Sequence, residues 1–304
     1  MTILLTGATG FLGSHLLEAL LNSGYAVVIL KRSFSDTWRI VHLLDRVKTY
    51  DVDKVSVDKA ITESHIDVVV HMATLYRKFD TGKEISEMVA SNIAFPCEIL
   101  ESGIRHGLKA FINTGTFFEY DCSALPVKED APTKPFNFYA KTKLAFENIL
   151  KTYSPSLSTV TLRLFSPYGP KDNDKLIPML IRKAAAGEPI NLSDGLQKLD
   201  FVFAEDITDA FLRAIKLTQN PTPGHSVFNI GSGMAISVRE IVSILEQQLG
   251  ASLNKQWGPP SSVDIPIAFA DIERAKEILG WVPRHSIHEG LAKTIKYYRE
   301  KSPR

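Results

Sequence analysis

The 304-residue sequence predicts an α/β protein with a doubly wound parallel sheet and a smaller C-terminal lobe, on three observations. Short runs rich in Val and Ile alternate with amphipathic stretches long enough to cross back over a sheet. A glycine-rich segment, TGATGFLG, stands directly between the first such run and the first helical stretch. After LRLFSPYGP the alternation breaks, and Pro-rich loops such as GPPSSVDIP separate the remaining helices.

The strands follow in order as TILLT, YAVVILK, a third ending before Asp51, IDVVVHMA, LKAFINT and STVTLRLF. Continuous apolar runs of this kind suit strands covered on both faces. FLGSHLLEALLNSG reads as the first helix. The longest helices are expected over 82–106, where Ile85, Met88, Val89, Ile93 and Leu100 recur near helical spacing, and over 137–153. Beyond them come a helix from Leu176 to Gly187, strands at Ile190 to Leu192 and Leu199 to Phe203, and a helix from Ile207 to Leu217. The expected division is a first lobe of residues 1–166, to which 199–232 return, and a second lobe within 167–304, mainly 167–198 and 233–304. Such a lobe would cover whatever the first one binds.

Charged residues make up 23% of the chain and the net charge is +1, so there is no bulk basic footprint for nucleic acid. Two cysteines, Cys97 and Cys122, are too few for a disulfide scaffold. No apolar stretch approaches the roughly 20 residues of a membrane span, and no leader pattern precedes the first strand. A cytoplasmic protein without membrane partners is the expectation.

Gly7, Gly10 and Gly13 suit a nucleotide-binding turn. The first allows the tight bend, the second close backbone approach to a pyrophosphate, and the third close packing of helix on strand, with the helix N-terminus attracting the anion. Thr9, Phe11 and Leu12 complete the loop. The second strand should end beside the adenosine ribose, where an acidic residue would hold the ribose hydroxyls of NAD. Lys31 and Arg32 stand there instead. Two cations suit a 2′-phosphate, which predicts NADP(H) in preference to NAD(H). Asp51 and Val52 follow the third strand, where they could hold the adenine edge or, for Asp51, cap the next helix. Met72, Ala73 and Thr74 end the fourth, near the expected diphosphate and nicotinamide ribose.

YAKTK places Tyr139 and Lys143 on one helix face. The same spacing occurs at Tyr50 with Lys54 and at Tyr297 with Lys301, but only Tyr139 opens the helix after the fifth strand. That strand, FINTGT, ends in Thr116, whose hydroxyl could bond a carbonyl oxygen as hydride reaches its carbon. A neighbouring ammonium favours the phenolate, so Lys143 is expected to bring Tyr139 within range of acid or base work near neutrality.

Together, TGATGFLG, NTGTFFEY, YAKTK, LRLFSPYGP and ILGWVP resemble the extended short-chain dehydrogenase/reductases, the NAD-dependent epimerase/dehydratase family of nucleotide-sugar enzymes, over nearly the whole chain. The resemblance implies a Rossmann lobe, a sugar-nucleotide lobe, and Thr116, Tyr139 and Lys143 as the catalytic set. Lys143 would also hold the nicotinamide ribose. It further implies a homodimer, the two long helices of each copy forming a four-helix bundle. Substrate contacts are expected from Tyr76, Thr116, Ser166, Lys175 and Lys198.

Sugar 4,6-dehydratases of the family carry an Asp-Glu pair after the catalytic Thr, whereas Phe117 and Phe118 follow Thr116 here. DGLQKLDF and GSGMAISVRE look most like the CDP-3,6-dideoxyhexose synthases of the paratose and abequose type. The expected reaction is therefore NADPH-dependent reduction of a C4 keto group on a nucleotide-linked sugar. A nucleotide-sugar 4-epimerase is the same-fold alternative, and a non-catalytic NADP(H)-sensing protein the alternative of another class. Two departures from the family pattern bear on the nucleotide grip: Leu199 stands where an Arg often precedes Asp-Phe, and Ser166 where an Asn often contacts substrate. His285 and His288 lack a third ligand for a metal.

Overall fold

The computed structural model describes residues 1–77, 81–173, 175–261 and 265–300. Seven strands form one parallel sheet: β1 (Thr2–Thr6), β2 (Ala26–Lys31), β3 (Lys48–Asp51), β4 (Val68–His71), β5 (Ala110–Thr116), β6 (Ser158–Leu164) and, after four short strands elsewhere, β11 (Gly224–Ile230). Their order is β11-β6-β5-β4-β1-β2-β3, so the chain reverses its direction of travel between β1 and β4. The crevice outside the carboxyl ends of such strands is where open α/β sheets bind ligands.

Alternation along each strand feeds two cores. Ile3, Leu5, Val27, Ile29, Val68 and Val70 face one side, under α1 (Phe11–Asn22) and α7 (Ala204–Leu217). Leu4, Val28, Leu30 and Val69 face the other, under α2 (Val57–Thr62), α4 (Phe95–Arg105) and α5 (Phe138–Thr152). Both faces are apolar because both are covered, which is why the runs lack a polar phase.

A further core lies around α6 (Leu176–Ala186), α8 (Val238–Leu249) and α10 (Ile287–Glu300). Parallel pairing joins β7 (Ser166–Tyr168) to β10 (Phe201–Phe203) and β8 (Ile190–Leu192) to β13 (Lys255–Trp257). β9 (Lys198–Leu199) lies between β12 (Ile236–Ser237) and β14 (Ile267–Ala268). α9 (Glu273–Leu279) packs back on α7 and β11.

Two elements differ from expectation. The helix expected over 82–106 is α3 (Gly82–Val89), a π turn over Ala90–Ala94, and α4. The strand expected from Leu199 to Phe203 is divided at Asp200, whose buried carboxylate accepts N–H bonds from Ser232 (2.5 Å), Gly233 (3.0 Å) and Ala270 (3.0 Å). Hydrogen bonding to a loop and to Ala270 replaces strand continuity at that residue.

Candidate active site

The glycine loop is shaped by contacts within the protein. Gly7 has φ +72°, in the left-handed region that only Gly adopts without strain, and a Cβ there would lie 2.6 Å from the Ala73 nitrogen. A Cβ on Gly13 would lie 2.0 Å from the Gly7 carbonyl oxygen, so α1 could not seat against the loop. Gly10 caps α1 with no side-chain bond, and the first turn holds no acid. The cradle and the uncapped helix terminus fit a dinucleotide diphosphate.

Thr6 joins this loop to the end of β4. Its hydroxyl oxygen accepts the amides of Met72 (3.2 Å) and Ala73 (3.1 Å), and lies 2.9 Å from His71 Nδ1. With both lone pairs engaged, its proton goes to Nδ1, which fixes the neutral Nε2–H tautomer of His71. Nε2 is buried without a hydrogen-bond partner, on a ring packed among Phe95, Phe111 and Phe146. His71 is thus a packing residue, and burial holds it far from protonation, with Lys143 adding to the effect.

At the adenosine end the expected absence of acid is corrected. Lys31 pairs in register with Asp51 across β2 and β3. Asp53 accepts from Arg32 Nε at 3.1 Å and from the Ser33 amide at 2.8 Å, while Ser33 donates to Asp51 at 2.7 Å. That Ser33 bond, ahead of the Asp53 amide and the nearby lysines, holds the Asp51 carboxyl below its ordinary range. The acids come from the next strand and its turn, outside the sequence window that locates the β2 end. Asp51 does not cap α2; Ser56 does, accepting from the Lys59 amide. Arg32 also lies over the exposed Phe34 ring at 4.8 Å, and the Val52 amide donates to Lys31 at 2.9 Å.

The chemical end lies where β5 meets α5. Thr116 ends β5 and is 8% exposed. Asn137 caps α5 by accepting from the Ala140 amide (2.9 Å), which starts the helix so that Tyr139 stands in its first turn and Lys143 one turn on. Tyr76, half exposed, meets the Tyr139 ring edge-on at 5.2 Å. Behind them lies Glu119, fully buried, whose Oε1 accepts the Thr116 amide at 2.8 Å. Its Oε2 lies 3.3 Å from Arg163 Nε, and Arg163 binds Glu147 through Nε (3.1 Å) and Nη2 (2.5 Å).

Burial sets the protonation of this corner. It pushes Tyr139 up to about 12, against a hydrogen bond shared with Thr74. It pushes Lys143 down to about 8, against the pull of Glu119 and Glu147. Burial is the largest cause and raises the Tyr139 phenol, against the expectation that Lys143 lowers it.

The other expected residues divide. Thr74 donates to the buried Asn92, which also bonds both backbone groups of Leu75 and the Thr142 hydroxyl. Asn92 lies in the π turn, an irregularity that often marks a working site, and the sequence pattern did not single it out. Ser166 opens β7 and takes an Asp200 carbonyl through its amide. Lys175 is exposed at the start of α6, and Lys198 is exposed on β9 beside Glu240, while its neighbour Leu199 packs inward. Phe117 stacks on Phe165 in the core, and Phe118 stacks on the more exposed Phe136.

Residues 3–231 match the model of the NAD dependent epimerase/dehydratase family.
The chain belongs to that family.
Among family relatives, the CDP-abequose synthase of Salmonella muenchen is 30% identical over 298 residues, covering 96% of each chain. The UDP-glucose 4-epimerase of Mycolicibacterium smegmatis is 28% identical, covering 99% of this chain and 100% of its own. Of solved structures, UDP-glucuronic acid 4-epimerase from Bacillus cereus, with UDP-glucuronic acid and NAD, superposes with a TM-score of 0.89 at 29% identity, covering 99% of each chain. UDP-glucose 4-epimerase from Thermotoga maritima, with UDP-glucose, gives 0.89 at 27% identity and the same coverage.

Proposed function

We propose that this family member is an NADPH-dependent reductase of a nucleotide-linked 4-keto sugar. The observation that carries the proposal is the arrangement of the reaction corner: Thr116 ends β5, and Tyr139 and Lys143 stand on successive turns of α5. Reduction needs a proton donor at the oxygen, which Tyr139 supplies, and Thr116 orients that oxygen. When bound, the nicotinamide supplies the hydride, and the glycine loop, Met72, Ala73, Thr74 and Lys143 would hold it. Likeness to the CDP-abequose synthase, and Phe117 and Phe118 in place of an acid pair, support the same reaction.

Lys31 and Arg32 would select the 2′-phosphate, exchanging the exposed Asp53 for a stronger partner. Asp51, Asp53 and the many epimerases among the relatives favour the second reading, a 4-epimerase with resident NAD. The core around α6, α8 and α10 would be the sugar-nucleotide lobe of 167–304, with Tyr76, Ser166, Lys175 and Lys198 as contacts. α4 and α5 would pair between copies in a cytoplasmic homodimer. No helix among the described residues is long and apolar enough to cross a membrane.

A panel of CDP-, UDP- and dTDP-linked 4-keto-6-deoxyhexoses, followed by NADPH absorbance, tests the assignment. One NADPH consumed per sugar is expected. Interconversion of two 4-hydroxy sugar nucleotides with no net cofactor use would establish the epimerase instead.

A further inference from the structure

Three consecutive backbone carbonyls, on Pro170, Lys171 and Asp172, each accept a hydrogen bond from a side chain of a different element. His15 Nε2 on α1 lies 2.8 Å from the Pro170 oxygen and, facing a carbonyl, must carry the proton. Arg39, in the loop after β2, donates from Nε to Lys171 at 2.9 Å. The Tyr298 hydroxyl on α10 donates to Asp172 at 3.0 Å. Lys171 itself has φ +64°, a left-handed conformation that a residue with a Cβ keeps only where its surroundings hold it. Its ammonium lies 3.5 Å from Glu18, again on α1.

Arg39 does more than hold this segment. Its Nη2 donates to Asn173 Oδ1 at 2.9 Å, and its Nη1 reaches the Thr9 carbonyl of the glycine loop at 3.4 Å. The guanidinium lies over the Trp38 ring at 4.4 Å, which helps to hold its plane. One rigid fork thus spans the glycine loop, residue 171 and residue 173, a geometry that the point charge of a lysine does not reproduce. At the other end of the segment, Lys175 at the start of α6 gives its amide to the Asn173 carbonyl at 2.7 Å. Both α6 and α10 belong to the core that they share with α8.

We propose that residues 169–173 form a strap coupling cofactor binding at the glycine loop to nucleotide-sugar binding beside α6, with Arg39 as the positioning residue that fastens it. The proposal rests on the reading of the glycine loop as the diphosphate cradle and of the α6 side as the sugar-nucleotide site. Thr9 becomes more ordered when the loop holds a diphosphate, and Arg39 and His15 carry that order to the strap. Tyr298 passes it on to α10. A nucleotide sugar then meets a strap whose conformational freedom is already restricted, so it binds more tightly. By linkage it strengthens cofactor binding by the same factor.

The test is made on the whole protein and on Arg39→Met, Arg39→Lys and Tyr298→Phe, with melting temperatures taken alongside to detect loosening of the fold. CDP, UDP and dTDP are titrated calorimetrically with and without saturating NADPH, and hydrogen exchange is followed at the strap amides. In the unaltered protein, NADPH should tighten whichever nucleoside diphosphate binds by about fivefold or more. It should also slow exchange at the Lys171, Asp172 and Asn173 amides. Arg39→Met should bring the factor close to one and leave the strap unprotected by NADPH, and coupling undiminished in this variant would refute the role of Arg39. Arg39→Lys should behave like Arg39→Met. Recovery of the coupling by lysine would make the effect one of charge alone and overturn the proposal. Tyr298→Phe should keep the strap protection yet lose most of the coupling. That variant decides the matter should Arg39→Met not fold, and undiminished coupling in it would again refute the strap. A nucleoside diphosphate that binds the unaltered protein equally well with and without NADPH would overturn the strap while leaving the proposed function intact. If neither CDP, UDP nor dTDP binds under either condition, the nucleotide-sugar reading fails and the strap with it.

Discussion

The two ends of the nucleotide crevice hold their charges in opposite ways. At the β5–α5 corner, Lys143, Glu119, Glu147 and Arg163 are all nearly solvent-free, and Arg163 pairs with both glutamates deep in the protein. At the β2–β3 end, Arg32 has a side chain 61% exposed and pairs with Asp53 at 31%. Buried charges shift one another strongly and cannot be changed singly at low cost, whereas exposed pairs contribute about 0 to 1 kcal/mol and are exchanged readily. On the proposed function, the reaction would belong to the buried end and the choice of cofactor to the exposed one.

Four experiments break or sharpen this contrast. Tyr139→Phe should lower turnover by about 100- to 10,000-fold with NADPH affinity nearly unchanged, as measured by steady-state rates and nicotinamide fluorescence. Near-native turnover would remove Tyr139 from the reaction. At the other end, Lys31→Ala with Arg32→Ala should weaken NADPH by about 1.5 to 3 kcal/mol per lost phosphate contact and leave NADH almost untouched. Equal weakening of both would make the cations ordinary surface charge.

The third experiment is a pH profile. Lys143 is depressed to about 8 and Tyr139 raised to about 12, so on raising the pH the ammonium is lost first while the phenol remains protonated. Turnover should therefore decline above about pH 8, as the buried cluster of Lys143 and Glu119 loses its proton. A limb first appearing near pH 10 or above would place the ionisation elsewhere. The smallest effect is expected from Asp53→Asn, which frees Arg32 and removes a repelling charge. NADPH should bind a few-fold more tightly at low salt, with the gain shrinking as salt screens the exposed groups. Loss of affinity would show that Asp53 holds Arg32 in its working position.

The same contrast separates what the sequence disclosed from what it did not. β1, the glycine loop and α1 were legible because a continuous local segment determines them, and the places of Thr116, Tyr139 and Lys143 on β5 and α5 because apolar periodicity locates that strand end and helix start. Asp53 beside Arg32 was not legible, since a pairing across 21 residues depends on the register of β2 with β3. Nor was the Arg163 pairing with Glu119 and Glu147, which joins β6 to two other segments. The π turn at Asn92 escaped for another reason: its apolar spacing is helical, and the side-chain bonds to Leu75 and Thr142 that single it out lie in the tertiary structure. The protonation of Tyr139 was misjudged because a sequence displays neighbouring charge but not desolvation, which dominates here.

The glycines of the loop have a consequence for how this lineage can change. Gly13 is required by the Gly7 carbonyl and Gly7 by the end of β4, contacts present whether or not any nucleotide is bound. A descendant that lost Tyr139 and all turnover would still be under selection to retain both glycines in order to fold. The motif would outlive the chemistry, and among distant copies of this chain the state of Thr116, Tyr139 and Lys143, more than the glycine signature, would distinguish working enzymes from inherited scaffolds.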